Sequence, residues 1–68
     1  MPYAKNADLP ARVKNHLPEH TQDIYRAAFN NAFSAHERDP RQEEAAHRIA
    51  WAAVKRSYMK VGTQWLPR

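Results

Sequence analysis

The chain has 68 residues, no cysteine and a net charge of +4, with a pI near 9.9. That length supports one domain, residues 1–68, which buries only roughly 60% of the surface its unfolded chain exposes. Disulfides and thiolate metal sites are excluded, no stretch approaches the ~20 apolar residues of a membrane span, and the opening MPYAKNADLP lacks the apolar run of a secretory signal.

These properties describe a soluble, cytoplasmic protein rather than an integral membrane one. Its basic balance favours acidic partners such as nucleic acid, anionic lipid or an acidic protein surface.

In chain order, Asp8 is placed to cap a short helix with Leu9 and Pro10 in its first turn. Leu9, Val13, His16 and Leu17 share its face, and Pro18 ends it near His16 by excluding helical geometry from the preceding residue. From Pro18 to His36 the spacing predicts a second helix. Ile24, Ala28, Ala32 and Ala35 form one apolar row, and Tyr25, Phe29 and Phe33 form the next.

A polar connection, His36 to Arg41, follows. Asp39 is a good N-cap, Pro40 suits the first helical position, and Gln42 stands where a capping-box partner would. The third helix is expected to run to about Lys60, with Gly62 terminating it. Its wide apolar arc carries Ala46, Ile49, Ala50, Trp51, Ala53, Val54 and Tyr58, which makes it the central element. The end segments Pro2-Tyr3-Ala4 and Gln64-Trp65-Leu66 look extended and can pair as a two-stranded patch. The fold class is therefore mainly α: a small three-helix domain with a short β pairing of the N- and C-terminal segments.

Few residues suggest chemistry. His16 and His20 have the spacing of a helical metal pair, but Pro18 interrupts them. Asp39, Glu43 and Glu44 are explained by capping and the helix dipole and lack calcium-loop spacing. With two serines, no cysteine and one glycine, neither an activated nucleophile nor a phosphate-cradling loop is indicated. The reading is a non-enzyme with no metal and no cofactor. His47 is expected to pack its ring at the edge of the third helix while one nitrogen finds a partner.

Arg41, Arg48 and Lys55 recur every seven residues, a basic stripe roughly 20 Å long. With Arg56 and Lys60 they are the candidate contacts for nucleic acid or an acidic partner. No aromatic residue is interleaved with the stripe, so base stacking is not indicated there. An exposed Trp65–Leu66 patch would favour a protein partner.

The ordered segments MPY, DLP, LPEHTQDIYRAAFNNAF and EEAAHRIAWAAVKRSY resemble the ChaB family over about Met1 to Tyr58. The matching Leu17, Ile24, Tyr25, Phe29, Ile49, Trp51 and Val54 lie in or beside the inferred core. They make the motif a signature of fold rather than of an active site. The resemblance implies a mainly helical domain with a small sheet. It also implies a regulatory or interaction protein that works by binding a protein partner, with a membrane cation–proton antiporter as the partner suggested. A small basic nucleic-acid-binding protein is the alternative reading.

Overall fold

The computed structural model describes residues 3–68. A single 3-10 turn, Asn6–Asp8, precedes α1 (Ala11–Lys14), α2 (Glu19–Ala35) and α3 (Gln42–Ser57), and the chain closes with the strands β1 (Tyr58–Val61) and β2 (Gln64–Pro67).

The three predicted helices are present, and the main boundary differences have local causes. Asp8 lies within the 3-10 turn instead of capping α1. Pro10 takes the position before that helix, and its carbonyl accepts from the Val13 and Lys14 N–H groups at 2.9 and 3.0 Å. Pro18 precedes α2. At α3 the predicted cap is displaced: the helix begins at Gln42 with Arg41 before it and no side-chain cap, so Pro40 lies outside it, and Asp39 Oδ1 instead accepts from the Arg41 N–H at 2.8 Å in the preceding turn, as aspartate does in turns. Gln42 does not complete a capping box; its Nε2 donates to the Phe33 carbonyl at 2.7 Å and ties the start of α3 to the end of α2.

α2 and α3 pack against each other, with α1 and the Leu9 turn closing the core. Leu9, Val13, Leu17, Tyr25, Phe29, Ala32, Ala46, Ala50 and Val54 are buried, and Tyr3, Ile24, Ala28, Phe33, Trp51 and Trp65 pack around them. Thr21 leads the buried stripe of α2, a position the apolar pattern passed over. Its hydroxyl donates to the Pro18 carbonyl at 2.7 Å, which satisfies a polar atom that would otherwise destabilise the interior. Of the family-motif residues, Leu17, Tyr25, Phe29 and Val54 are buried and Ile24 and Trp51 half-buried, whereas Ile49 is 37% exposed and lies outside the core.

The C-terminal segment corrects two expectations. α3 ends at Ser57, because Tyr58 adopts extended geometry (φ −134°, ψ 155°) with its N–H on the Val54 carbonyl. Gly62, at φ +62°, turns a hairpin instead of ending a helix. The register Tyr58↔Pro67, Met59↔Leu66, Lys60↔Trp65 and Val61↔Gln64 leaves a two-residue Gly62–Thr63 loop. Positive φ at Gly62 but not at Thr63 is the arrangement of a type II′ turn, whose twist matches that of the strands.

The predicted two-stranded sheet is thus present, but β2 pairs with β1 and not with the N-terminal segment. Pro2 lies outside the described residues. Tyr3 is held elsewhere: its N–H donates to Asn30 Oδ1 at 2.8 Å, its carbonyl accepts from Asn30 Nδ2 at 2.9 Å, and its ring lies 4.8 Å from Phe29. A side-chain amide thus occupies the backbone groups that a strand partner would have used.

Candidate binding groove

His47, Trp51 and Lys55 stand four residues apart on α3 and so form one row along the helix. The hairpin folds back beside that row, and α1 closes the opposite side. Between them lies a groove of about 810 Å3 lined by Arg12 of α1, His16 in the turn that follows it, the three residues of the row, Tyr58, Met59, Lys60 and Trp65 of the hairpin, and Arg68.

Aromatic rings form part of its wall. Trp51 stacks on Trp65 with centroids 6.3 Å apart and meets the buried Tyr25 edge-on at 5.1 Å. The Trp65 indole N–H is, among the described residues, the buried side-chain donor left without a protein partner. Arg68 closes the groove and also caps α3. Its N–H donates to the Ser57 carbonyl at 3.0 Å, and its Nε donates to the Lys55 carbonyl at 2.6 Å and the Tyr58 carbonyl at 3.2 Å. Carbonyls at a helix C-terminus lack intrahelical donors and attract cations.

The electrostatics are one-sided. Arg12, Lys55, Lys60 and Arg68 line the groove and, among the described residues, no carboxylate does. The wider distribution agrees. Residues 45–68 contain Arg48, Lys55, Arg56, Lys60 and Arg68 without one Asp or Glu, whereas residues 1–44 hold six Lys and Arg against seven Asp and Glu. The whole net charge therefore resides in the last 24 residues.

His47 forms the junction of groove and core. Its Nδ1 is hydrogen bonded to the Tyr25 hydroxyl, and its ring lies 4.6 Å from Phe29. Burial lowers its pKa from the ordinary histidine value; Glu43 opposes that shift and Arg12 adds to it. Burial likewise pushes Tyr25 up to about 12. Both shifts favour the neutral forms of the pair. His16 does not join His20 in a metal pair, since its Nδ1 lies 2.6 Å from the Arg12 carbonyl. Among the described residues no three His, Asp or Glu converge as a metal site would require.

Of the residues proposed from sequence, Lys55 and Lys60 reach the groove, whereas Arg41, Arg48 and Arg56 do not line it. The heptad stripe passes along α3, and only its last member meets the aromatic rings. Arg12, His16, Trp51, Tyr58 and Arg68 also line the groove without having been proposed from sequence, and Trp65 had been considered only in a patch with Leu66. The 47–51–55 spacing and the one-sided charge of residues 45–68 were the available signals.

Sequence and structure comparisons now decide the family. The family model described as ChaB matches residues 9–68. The chain belongs to the ChaB family. It is 48% identical over 66 residues to the "Putative cation transport regulator ChaB" of Escherichia coli (strain K12), spanning 88% of this chain and 87% of that one. The protein of the same name from Shigella flexneri matches to the same extent. A solved structure, "NMR solution structure of the putative cation transport regulator ChaB", superposes with a TM-score of 0.83 at 43% identity, covering 98% of this chain and 99% of the other. The family fold thus includes these helices and the terminal hairpin. No helix among the described residues is long and apolar enough to cross a membrane.

Proposed function

We propose that this protein is a single-domain, non-catalytic regulatory module of the cytoplasm that binds an acidic segment of a protein partner in the groove between α1, α3 and the hairpin. The observation carrying this reading is the groove's composition: four cations, two tryptophans and a tyrosine, without a lining carboxylate among the described residues. Interface centres favour aromatic and arginine side chains, and long-range attraction would speed encounter with an acidic segment. Relatives named as cation transport regulators suggest a membrane cation transporter, such as a cation–proton antiporter, as the protein carrying it. The lining offers neither a carboxylate pair nor a serine or cysteine nucleophile, which supports binding over catalysis.

Nucleic acid is the second reading, favoured by Lys55 and Lys60 standing beside Trp51, Trp65 and Tyr58. A basic groove with aromatic platforms suits single strands.

Fluorescence anisotropy with a labelled glutamate-rich peptide, a single-stranded oligonucleotide and a duplex distinguishes them. The peptide is expected to bind, to lose at least tenfold in affinity with Lys55→Ala/Lys60→Ala, and to keep its affinity with Arg41→Ala/Arg48→Ala. Tighter binding of the oligonucleotide, with a steep salt dependence, selects the second reading. No binding of any probe at low salt removes the groove as a site.

A further inference from the structure

A second cleft, of about 460 Å3, lies between residues 15–18, in the turn from α1 to α2, and residues 63–66 of the hairpin. The charged groove leads into it. Along the helix side the groove's lining passes from Arg12 to His16, and along the hairpin side from Arg68 to Trp65. The second cleft starts at the same His16 and Trp65 and continues to Pro18 and Thr63. The two form one trough, basic at one end and without a Lys, Arg, Asp or Glu at the other, where Leu17, Pro18 and Leu66 add apolar wall.

Successive side chains of a strand point to opposite faces. Consecutive residues 63–66 therefore line one cleft only if it runs along the edge of β2, and that edge is unpaired in a sheet of two strands. The ladder shows what the edge offers. The Arg68 N–H donates to the Ser57 carbonyl, and bonded and unbonded pairs alternate between antiparallel strands. Lys60↔Trp65 is then an unbonded pair, so Trp65 turns its N–H and carbonyl away from β1. Neither group makes a backbone hydrogen bond beyond the hairpin. Pro67, in the other unbonded pair, has no N–H to offer.

We infer that the acidic segment binds extended, as a third strand on β2. Its carboxylates meet Arg12, Lys55, Lys60 and Arg68, and an uncharged stretch with an apolar side chain continues past Trp65 into the second cleft. The inference rests on the reading of the groove as a site for an acidic segment, and adds that segment's conformation and composition. Strand addition to an open edge draws affinity from main-chain hydrogen bonds and specificity from the pockets beside it. Charge selects the occupant. The β2 edge of a second copy would bring another Lys60 and Arg68 against the same cations, whereas an acidic chain is attracted. The edge from Thr63 to Pro67 is roughly 16 Å long at the usual strand rise, enough for about five residues of the segment.

The test compares, by fluorescence anisotropy with the full chain, a glutamate-rich peptide and versions extended by valine-leucine at the N-terminal or the C-terminal end. One extension, not both, is expected to raise affinity about fivefold or more. Asn15→Trp, which places an indole in the second cleft, should abolish that gain. N-methylation scanned along the extended peptide should cost about tenfold at the residue whose N–H bonds the Trp65 carbonyl, and little at its neighbours, whose N–H groups point away. Hydrogen exchange of the Trp65 amide should slow by about tenfold or more when the peptide is bound. Equal gains from both extensions, a gain retained in Asn15→Trp, a flat N-methyl scan or an unprotected Trp65 amide overturns the inference and leaves the groove's reading standing. A dimer in sedimentation equilibrium, with that amide protected before peptide is added, overturns it in favour of a second copy on the edge. No binding of the unextended peptide at low salt removes the groove's reading, and the strand with it.

Discussion

The two ends of the molecule use polar residues in opposite ways. At the N-terminal end the polar side chains secure the backbone. Asn30 holds Tyr3 at both its N–H and its carbonyl. Asn6 joins Asp23 and Arg26 at 2.6 and 2.8 Å, and Gln22 Nε2 donates to the Lys14 and Leu17 carbonyls. At the hairpin, Lys55 and Lys60 line a groove, the Trp65 indole N–H lacks a protein partner, and apolar side chains face outward. A domain of this size has little stability to spare, so residues that hold the fold and residues free to bind are set apart in space.

The sharpest test of that division compares a core truncation with changes at the hairpin. Phe29 is fully buried and touches the rings of Tyr3, Tyr25, Phe33 and His47. Phe29→Ala is expected to cost about 3–5 kcal/mol. A chain of 68 residues has a total stability on the order of 3–10 kcal/mol, so urea denaturation should find this variant largely or wholly unfolded. Met59→Ser or Leu66→Ser should shift the urea midpoint very little. A large shift from either would mean that the outer face supports the fold.

Next in size is a pH effect centred on Tyr25 and His47. The Tyr25 phenol is raised to about 12 by burial. Above about pH 10 the unfolded chain therefore releases this proton while the folded chain keeps it. Stability falls through that window, by an amount on the order of 2 kcal/mol. His47 is lowered, so below its ordinary value near 6.5 the unfolded chain takes up a proton that the folded chain resists. Stability falls again as pH drops. A plateau between these limits is expected in denaturation midpoints, and Tyr25→Phe should remove this contribution from the alkaline limb. An alkaline limb identical in that variant would place its origin elsewhere.

Asn30→Ala tests the clasp at the other end. Two hydrogen bonds of roughly 0.5–1.5 kcal/mol net each are lost together, so a decrease of about 1–2 kcal/mol is expected. Faster exchange of the Tyr3 amide should accompany it, with acidic-peptide affinity unchanged. A loss of peptide binding would show that the two ends are coupled and that the division fails.

What was legible in the sequence follows the same boundary. The period of Tyr25, Phe29 and Phe33, and the alanines of α3, report directly on helix packing because each lies on one continuous element. Pro18 marks a helix start by local rules, whereas Asp39 marks only the turn before one. The hairpin was obscured by extending α3 to Lys60: Tyr58, Met59 and Lys60 continue its pattern acceptably, and only the Gly62–Thr63 turn, read with Val61, contradicts it. Once the hairpin was missed, the groove could not be assembled. Its cations come from α1, α3, β1 and Arg68, which are brought together by tertiary packing and by no sequence spacing. The stripe Arg41, Arg48 and Lys55 was periodic and therefore visible, yet it points along the helix rather than into the groove.

The smallest effect concerns the contact that joins fold and groove. Arg68 donates to the carbonyls of Lys55 and Tyr58 from an exposed position, so Arg68→Ala should cost only a few tenths to about 1 kcal/mol of stability. Its influence on binding should be larger than its influence on folding. The hairpin loses the guanidinium part of its tie to the end of α3 while the backbone bond to Ser57 remains, which loosens the support of the Trp51–Trp65 stack, and the groove loses a cation as well. Acidic-peptide affinity in Arg68→Lys separates these contributions: lysine restores the charge but not the planar guanidinium that reaches two carbonyls. If Arg68→Lys binds like the parent, charge alone matters. If it binds like Arg68→Ala, the position of the hairpin on α3 governs the site.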